Sequence, residues 1–212
     1  IGGKTSEPSS MKNLQNKTAL ATLALIGAGI LGGLAPIAAK LLLRELSPLA
    51  LTFFRYTIAG LILFPIVSRY TKGIVTHWKQ LLFVSLFFVG NIYFFIFGIG
   101  HTTSAVSQLL YGVVPVFMLI EQAISTNTKI RFRQLAGILF GIAGTFVIVL
   151  HPVRASGLGT LYGNTLLLFA VFCWFLYLLA TKRISRIVAP MEITAATAFV
   201  TWVVALVATV TI

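Results

Sequence analysis

The stretch PLALTFFRYTIAGLILFPIV (Pro48–Val67) carries one charge, Arg55, among residues that are otherwise almost all apolar. A helix of about 20 such residues matches the hydrocarbon core of a bilayer. The apolar run is continuous rather than alternating, which argues against a membrane β-strand. The same reading extends in both directions to Thr18–Leu43, Leu81–Gly98, Thr103–Ser125, Leu135–Leu150, Gly159–Ala180 and Pro190–Ile212. Seven spans are therefore expected, with the fifth extended at its basic end to Arg133. The expected fold is all-α, a polytopic transmembrane helix bundle.

Composition supports lipid as the main solvent. Of 212 residues, 58% are hydrophobic and only 9% are charged, against about 25% charged in soluble domains. The net charge of +12 could suggest nucleic acid. However, the basic residues lie in short clusters between apolar runs, where they set topology and meet anionic lipid. With the N-terminus in the cytoplasm, Lys12, Lys17, Arg69, Lys72, Lys79, Lys129, Arg131, Arg133, Lys182, Arg183 and Arg186 fall inside. Only Lys40, Arg44 and Arg154 fall outside. That asymmetry is a positive-inside signal and predicts a multi-pass protein of a cell (inner) membrane.

The chemistry-bearing residues are few. There is no aspartate, and the four glutamates are Glu7, Glu45, Glu121 and Glu192. No metal-protease, nucleophile-elbow or phosphate-loop motif occurs, so neither an enzyme, a metal nor a cofactor is expected. Cys173, the single cysteine, lies inside an apolar run and reads as a small buried hydrophobe. The polar stretch Ile1–Ser10 is set aside as a vector-derived remnant. At the other end, the apolar run is still open at Ile212.

An internal repeat is visible. At an offset of 142, Lys40 meets Lys182, Arg44 meets Arg186, Pro48 meets Pro190 and Thr52 meets Thr194; Leu25 and Ala28 meet Leu167 and Ala170. Five spans separate the two copies, so they lie in opposite orientations, as in transporters built from inverted repeats. Residues 11–150 would form a first five-helix repeat and 151–212 the start of a second. Three further helices would then be expected after Ile212.

Four segments carry a family resemblance. SPLALTFFRYTIAGLILFP (Ser47–Pro65), TTSAVSQLLYGVVPVF (Thr102–Phe117), RQLAGILFGIAGTFVIVL (Arg133–Leu150) and CWFLYLLATKR (Cys173–Arg183) resemble, in order and spacing, the second, fourth, fifth and sixth helices of the EamA family of drug/metabolite transporters. The resemblance implies ten helices in two inverted five-helix repeats. It also implies a central site for small metabolites such as amino acids, nucleotide sugars, phosphorylated sugars or drugs. The family commonly ends its fourth helix with Gly-Glu, where this chain has Asn127-Thr128.

Intramembrane polar residues are functional candidates by default. Arg55 lies about 10 Å below the outer surface at 1.5 Å per residue, where its planar fork suits a carboxylate or phosphate. Asn91 and Tyr93 on the third span and Ser107, Gln108 and Tyr111 on the fourth fall near the same depth, and Trp174 on the sixth is a candidate site wall. Pro36 and Pro115 should kink the first and fourth helices. Gly29, Gly32 or Gly33 and the Gly137–Gly141–Gly144 pattern suit close helix packing. Glu121 is expected to pair with Lys129 or Arg131. Together these point to a gradient-driven transporter or exchanger of small polar metabolites by alternating access. Its expected partners are the substrate, the lipid bilayer and a second copy in a homodimer. A non-transporting membrane scaffold is the other reading.

Overall fold

The computed structural model of the chain describes residues 8–67 and 71–211, with side chains described over 18–64, 73–144 and 157–211. Lys12, Lys17, Arg69, Lys72 and Arg154, which enter the charge asymmetry, lie outside the described side chains. The described chain is all-helical: α1 (Pro8–Leu42), α2 (Pro48–Val67), α3 (Thr71–Thr76), α4 (Trp78–Gly100), α5 (Ser104–Tyr111), α6 (Val114–Thr126), α7 (Phe132–Ser156), α8 (Leu161–Ile184) and α9 (Pro190–Thr211). Helices satisfy their own backbone groups, which hydrocarbon cannot do for them. Among the described residues, five segments are long and apolar enough to cross a membrane: Thr18–Leu42, Trp78–Gly100, Ser104–Thr126, Leu161–Ile184 and Pro190–Thr211. Pro48–Phe64 and Phe132–Gly144 are shorter apolar helices. The chain is thus a polytopic helical bundle.

Local chemistry sets the helix ends. Thr103 and Thr160 sit in extended conformation before α5 and α8, and their side chains accept from Val106 N and Gly163 N, which satisfies orphan amides of the first turn. Pro48 and Pro190 open α2 and α9, where the missing N–H costs nothing. Asn127 closes α6 in the left-handed conformation with φ 48°, a position where asparagine is the usual substitute for glycine. Asn127 thus takes the left-handed position that glycine also suits, and Thr128 follows it without a carboxylate.

The fourth span differs from a simply kinked helix. It is interrupted between α5 and α6, and Pro115 lies in the first turn of α6. A proline ring clashes with the carbonyl four residues earlier and cannot donate to it, so the break falls just ahead of it. Pro36, by contrast, lies inside α1 without interrupting it.

The two connectors that the 142-residue offset aligns share their local geometry. Residues 43–47 and 185–189 adopt the same turn. Leu43 N bonds Ala39 O, and Glu45 N and Leu46 N bond Leu42 O. In the second copy Ser185 N bonds Thr181 O, and Ile187 N and Val188 N bond Ile184 O. Thr52 Oγ1 donates to Pro48 O at 2.8 Å and Thr194 Oγ1 to Pro190 O at 3.0 Å. Every one of these bonds is displaced by the same 142 residues.

Packing centres on α4, which lies against α8 and α9, while α2 lies against α9. Ala39, Leu51, Phe95, Ile96, Ile99, Leu167 and Ala170 form one buried cluster; Leu81, Val84, Ile184, Val188, Ile193 and Ala196 form a second. The α4–α8 seam is close because glycines line it. A Cβ at Gly90 would lie 3.1 Å from Cys173 Sγ, and one at Gly98 would lie 3.1 Å from Gly163 O. The sequence pattern pointed instead to Gly29, Gly32, Gly33, Gly137, Gly141 and Gly144, where a Cβ would meet nothing within 4 Å. A glycine spacing shows that a helix can be approached, not which helix approaches it. On α2 and α9, Trp202 Nε1 donates to Thr57 Oγ1 at 2.9 Å, and Trp202 stacks with Phe53 at 6.5 Å.

Candidate functional site

Asn91 is a buried polar side chain that bridges two neighbouring helices. It is 4% exposed, and its Nδ2 donates to Tyr111 Oη at 2.5 Å and to Ala170 O at 2.8 Å. Three elements meet there: α4, α5 and α8. Depth counting had placed Asn91 and Tyr111 at one level, and the structure joins them directly. Tyr111 also packs edge-to-face on Phe95, with centroids 6.0 Å apart.

One turn away on both α4 and α8 lies an aromatic cluster. Phe88 is 5.0 Å from Tyr177, 6.4 Å from Trp174 and 6.2 Å from Tyr56, and Trp174 is 5.1 Å from Tyr177. Trp174 thus belongs to a wall shared by α2, α4 and α8. Tyr56 and Phe88 were not singled out from the sequence; the only signal was an i, i+3 spacing of Phe88 and Asn91 on one helix.

Arg55 sits at the rim of this cluster. Its side chain is exposed, and its guanidinium carbon lies 5.8 Å from the Tyr56 ring centroid. Among the described residues no carboxylate lies within ion-pair distance of it; the one ion pair joins Lys182 and Glu121. A groove of about 310 Å³ opens beside Tyr56 between α2 and α9, lined also by Thr57, Gly60, Phe64, Phe199 and Trp202.

The remaining candidates separate from this centre. Ser107 is fully buried and donates to Ser104 O of its own helix at 2.8 Å. Gln108 is half-buried; its carbonyl accepts from Gly112 N at 2.9 Å, while its side chain makes no hydrogen bond among the described residues. The Tyr93 hydroxyl is buried without a partner among the described residues. Pro36 O accepts from Ser104 Oγ at 3.4 Å, and Lys40 Nζ donates to Thr102 O, so this face of α1 meets the start of α5. Thr102 Oγ1 in turn donates to Asn164 Oδ1 at 2.6 Å.

Glu121 does not pair with Lys129 or Arg131. It holds Lys182 of α8 at 2.9 Å, a contact between residues 61 positions apart that nearest-neighbour counting along the chain cannot find. Among the described residues no three His, Cys, Asp or Glu side chains gather in a way that could hold a metal ion.

Asn91→Leu should destabilise the bundle by about 1–3 kcal/mol. Interhelical hydrogen bonds in membranes average about 0.6 kcal/mol and reach about 1.7, and two are lost. Tyr111→Phe, which leaves Asn91 bonded to Ala170 O, should cost less than half as much. Thermal unfolding in detergent measures both; equal losses would show that the Ala170 bond contributes nothing.

Membrane-length helices with polar contacts buried between them define a polytopic helical membrane protein. The chain belongs to the EamA-like transporter family, whose model matches residues 19–150. It is 28% identical over 166 residues to an uncharacterized transporter of Archaeoglobus fulgidus, covering 76% of this chain and 57% of that protein. It is 27% identical over 181 residues to the uncharacterized transporter YetK of Bacillus subtilis, covering 82% of this chain and 53% of that one. The chain thus spans about half the length of the curated relatives it matches. No solved structure matches it.

Proposed function

We propose that this transporter moves a small anionic metabolite by gradient-driven alternating access, with Arg55 as the substrate anchor. The observation that carries the reading is a guanidinium in an apolar span with no acidic partner among the described residues. Such a charge within a span is costly and calls for water, a bound anion or a polar partner. The Tyr56–Phe88–Trp174–Tyr177 wall gives a substrate apolar contact, and the Asn91–Tyr111 pair lies one turn beyond it. The break between α5 and α6 supplies a place for one half-helix to move against the other. The matching connectors at 43–47 and 185–189 support two copies of one unit, inverted across the membrane. Flux of carboxylated or phosphorylated solutes in proteoliposomes tests the anchor: it should fall in the order Arg55, Arg55→Lys, Arg55→Gln. Normal flux by Arg55→Gln overturns it.

The basic connectors support a cytoplasmic N-terminus in a bacterial or archaeal cell membrane. A cysteine at Lys182 should resist an impermeant thiol reagent in intact cells, while one at Arg44 reacts. Strong external labelling at position 182 reverses the orientation.

A further inference from the structure

The start of α4 and the end of α8 flank a second cleft, separated from the aromatic wall by the buried cluster of Val84 and Ile184 against which Tyr177 packs. A cleft of about 500 Å³ lies between them, lined by Lys79, Gln80 and Arg183 and by Phe83, Val84, Ile184 and Ile187. Two cations from different helices thus stand over an apolar floor. Val84 and Ile184 are buried, while Phe83 and Ile187 are 58% and 62% exposed on its flanks. Beside the cations, Trp78 is 55% exposed, and Lys79 Nζ lies 5.7 Å from its ring centroid. An exposed tryptophan at a helix end is the usual mark of the membrane–water interface.

We propose that this cleft binds an anionic phospholipid, its phosphate held by Lys79 and Arg183 and an acyl chain laid along Phe83, Val84 and Ile187. Charge complementarity selects the headgroup. Neither cation forms an ion pair among the described residues, where the ion pair is that of Lys182 with Glu121. The apolar flanks select a lipid over a soluble phosphate, which would leave Phe83 and Ile187 uncovered. Basic side chains beside a transmembrane helix attract anionic lipid at about 1 kcal/mol each, so losing both should weaken binding about tenfold or more.

Native mass spectrometry of the detergent-solubilised chain, titrated with phosphatidylglycerol and with phosphatidylcholine, tests this. The chain should retain phosphatidylglycerol at least tenfold more tightly. Lys79→Gln with Arg183→Gln should abolish that preference, and Phe83→Ala should weaken retention of both lipids. All three side chains are exposed, and an unchanged circular dichroism spectrum confirms folding. Arg133→Gln with Arg186→Gln removes the same charge outside the cleft and should change little. Equal retention of the two lipids by the unaltered chain overturns the proposal. So does an equal loss in the Arg133/Arg186 pair, which would indicate general surface charge. Displacement of the lipid by millimolar glycerol 1-phosphate would indicate a soluble-anion site instead and would also overturn it.

Discussion

Gly163→Val should leave little folded protein. A Cβ at Gly163 would lie 2.8 Å from both the carbonyl carbon and the Cβ of His101 and 2.9 Å from its carbonyl oxygen. The obstacle is mostly backbone, so no rotamer change relieves it. Nor is that backbone free to retreat. Thr160 N and Thr160 Oγ1 both bond His101 O, at 3.0 and 2.9 Å, and Thr102 is tied to Asn164. Overpacking typically costs about 1–3 kcal/mol and occasionally more. A backbone collision belongs at the upper end, and a branched side chain goes beyond it. Alanine alone should cost about 1–3 kcal/mol. The comparison is Gly137→Ala, where a Cβ meets nothing within 4 Å. There the helix propensity gain of about 1 kcal/mol acts unopposed and should raise stability. Size-exclusion profiles after heating in detergent read both. A Gly163→Val profile matching the unaltered chain would mean that α8 does not dock on the His101 turn as described.

The helices were legible because hydrophobic length in a bilayer is a one-dimensional signal. Pro48 and Pro190 mark two starts correctly, and each long apolar run contains a helix. α3 was not legible, because a helix of Thr71–Thr76 is too short for any apolar period. The fourth span shows a finer limit. Pro115 announces a disturbance, but only the structure places the interruption ahead of it, between Tyr111 and Val114.

The candidate site was legible by depth and illegible by azimuth. Counting residues from the span ends put Asn91 beside Tyr111, and they bond. The same count admitted Ser107, which bonds its own helix, and Tyr93, whose hydroxyl has no partner among the described residues. Tyr56 was invisible because its meaning comes from Phe88 on another helix. Register along a helix is written in the sequence, but which faces meet is decided by neighbours. The two connectors escape this limit, since residues 43–47 and 185–189 build the same turn from local hydrogen bonds that sequence offset alone can locate.

Arg55→Gln should separate transport from folding. A charged arginine within a span costs about 2.5–3.5 kcal/mol on insertion scales, so its removal should leave the bundle at least as stable. The opposing loss is the contact over Tyr56, a cation–π interaction of about 0.5–1 kcal/mol at an exposed site, which is the smaller quantity. Transport moves the other way. Hydrogen bonds to charged groups contribute about 1.5–3 kcal/mol, and each 1.4 kcal/mol is tenfold. Arg55→Gln should therefore lower flux of an anionic substrate at least tenfold. Arg55→Lys keeps the charge and loses the bidentate fork, so its flux should fall between the two. A purely structural arginine predicts the reverse pattern: Arg55→Gln would melt earlier through loss of the Tyr56 contact, and Arg55→Lys would restore both stability and flux. Tyr56→Phe sharpens the distinction, because it keeps the ring under the guanidinium. Flux and melting temperature of the four proteins, measured on the same preparations, decide between an anchor and a brace.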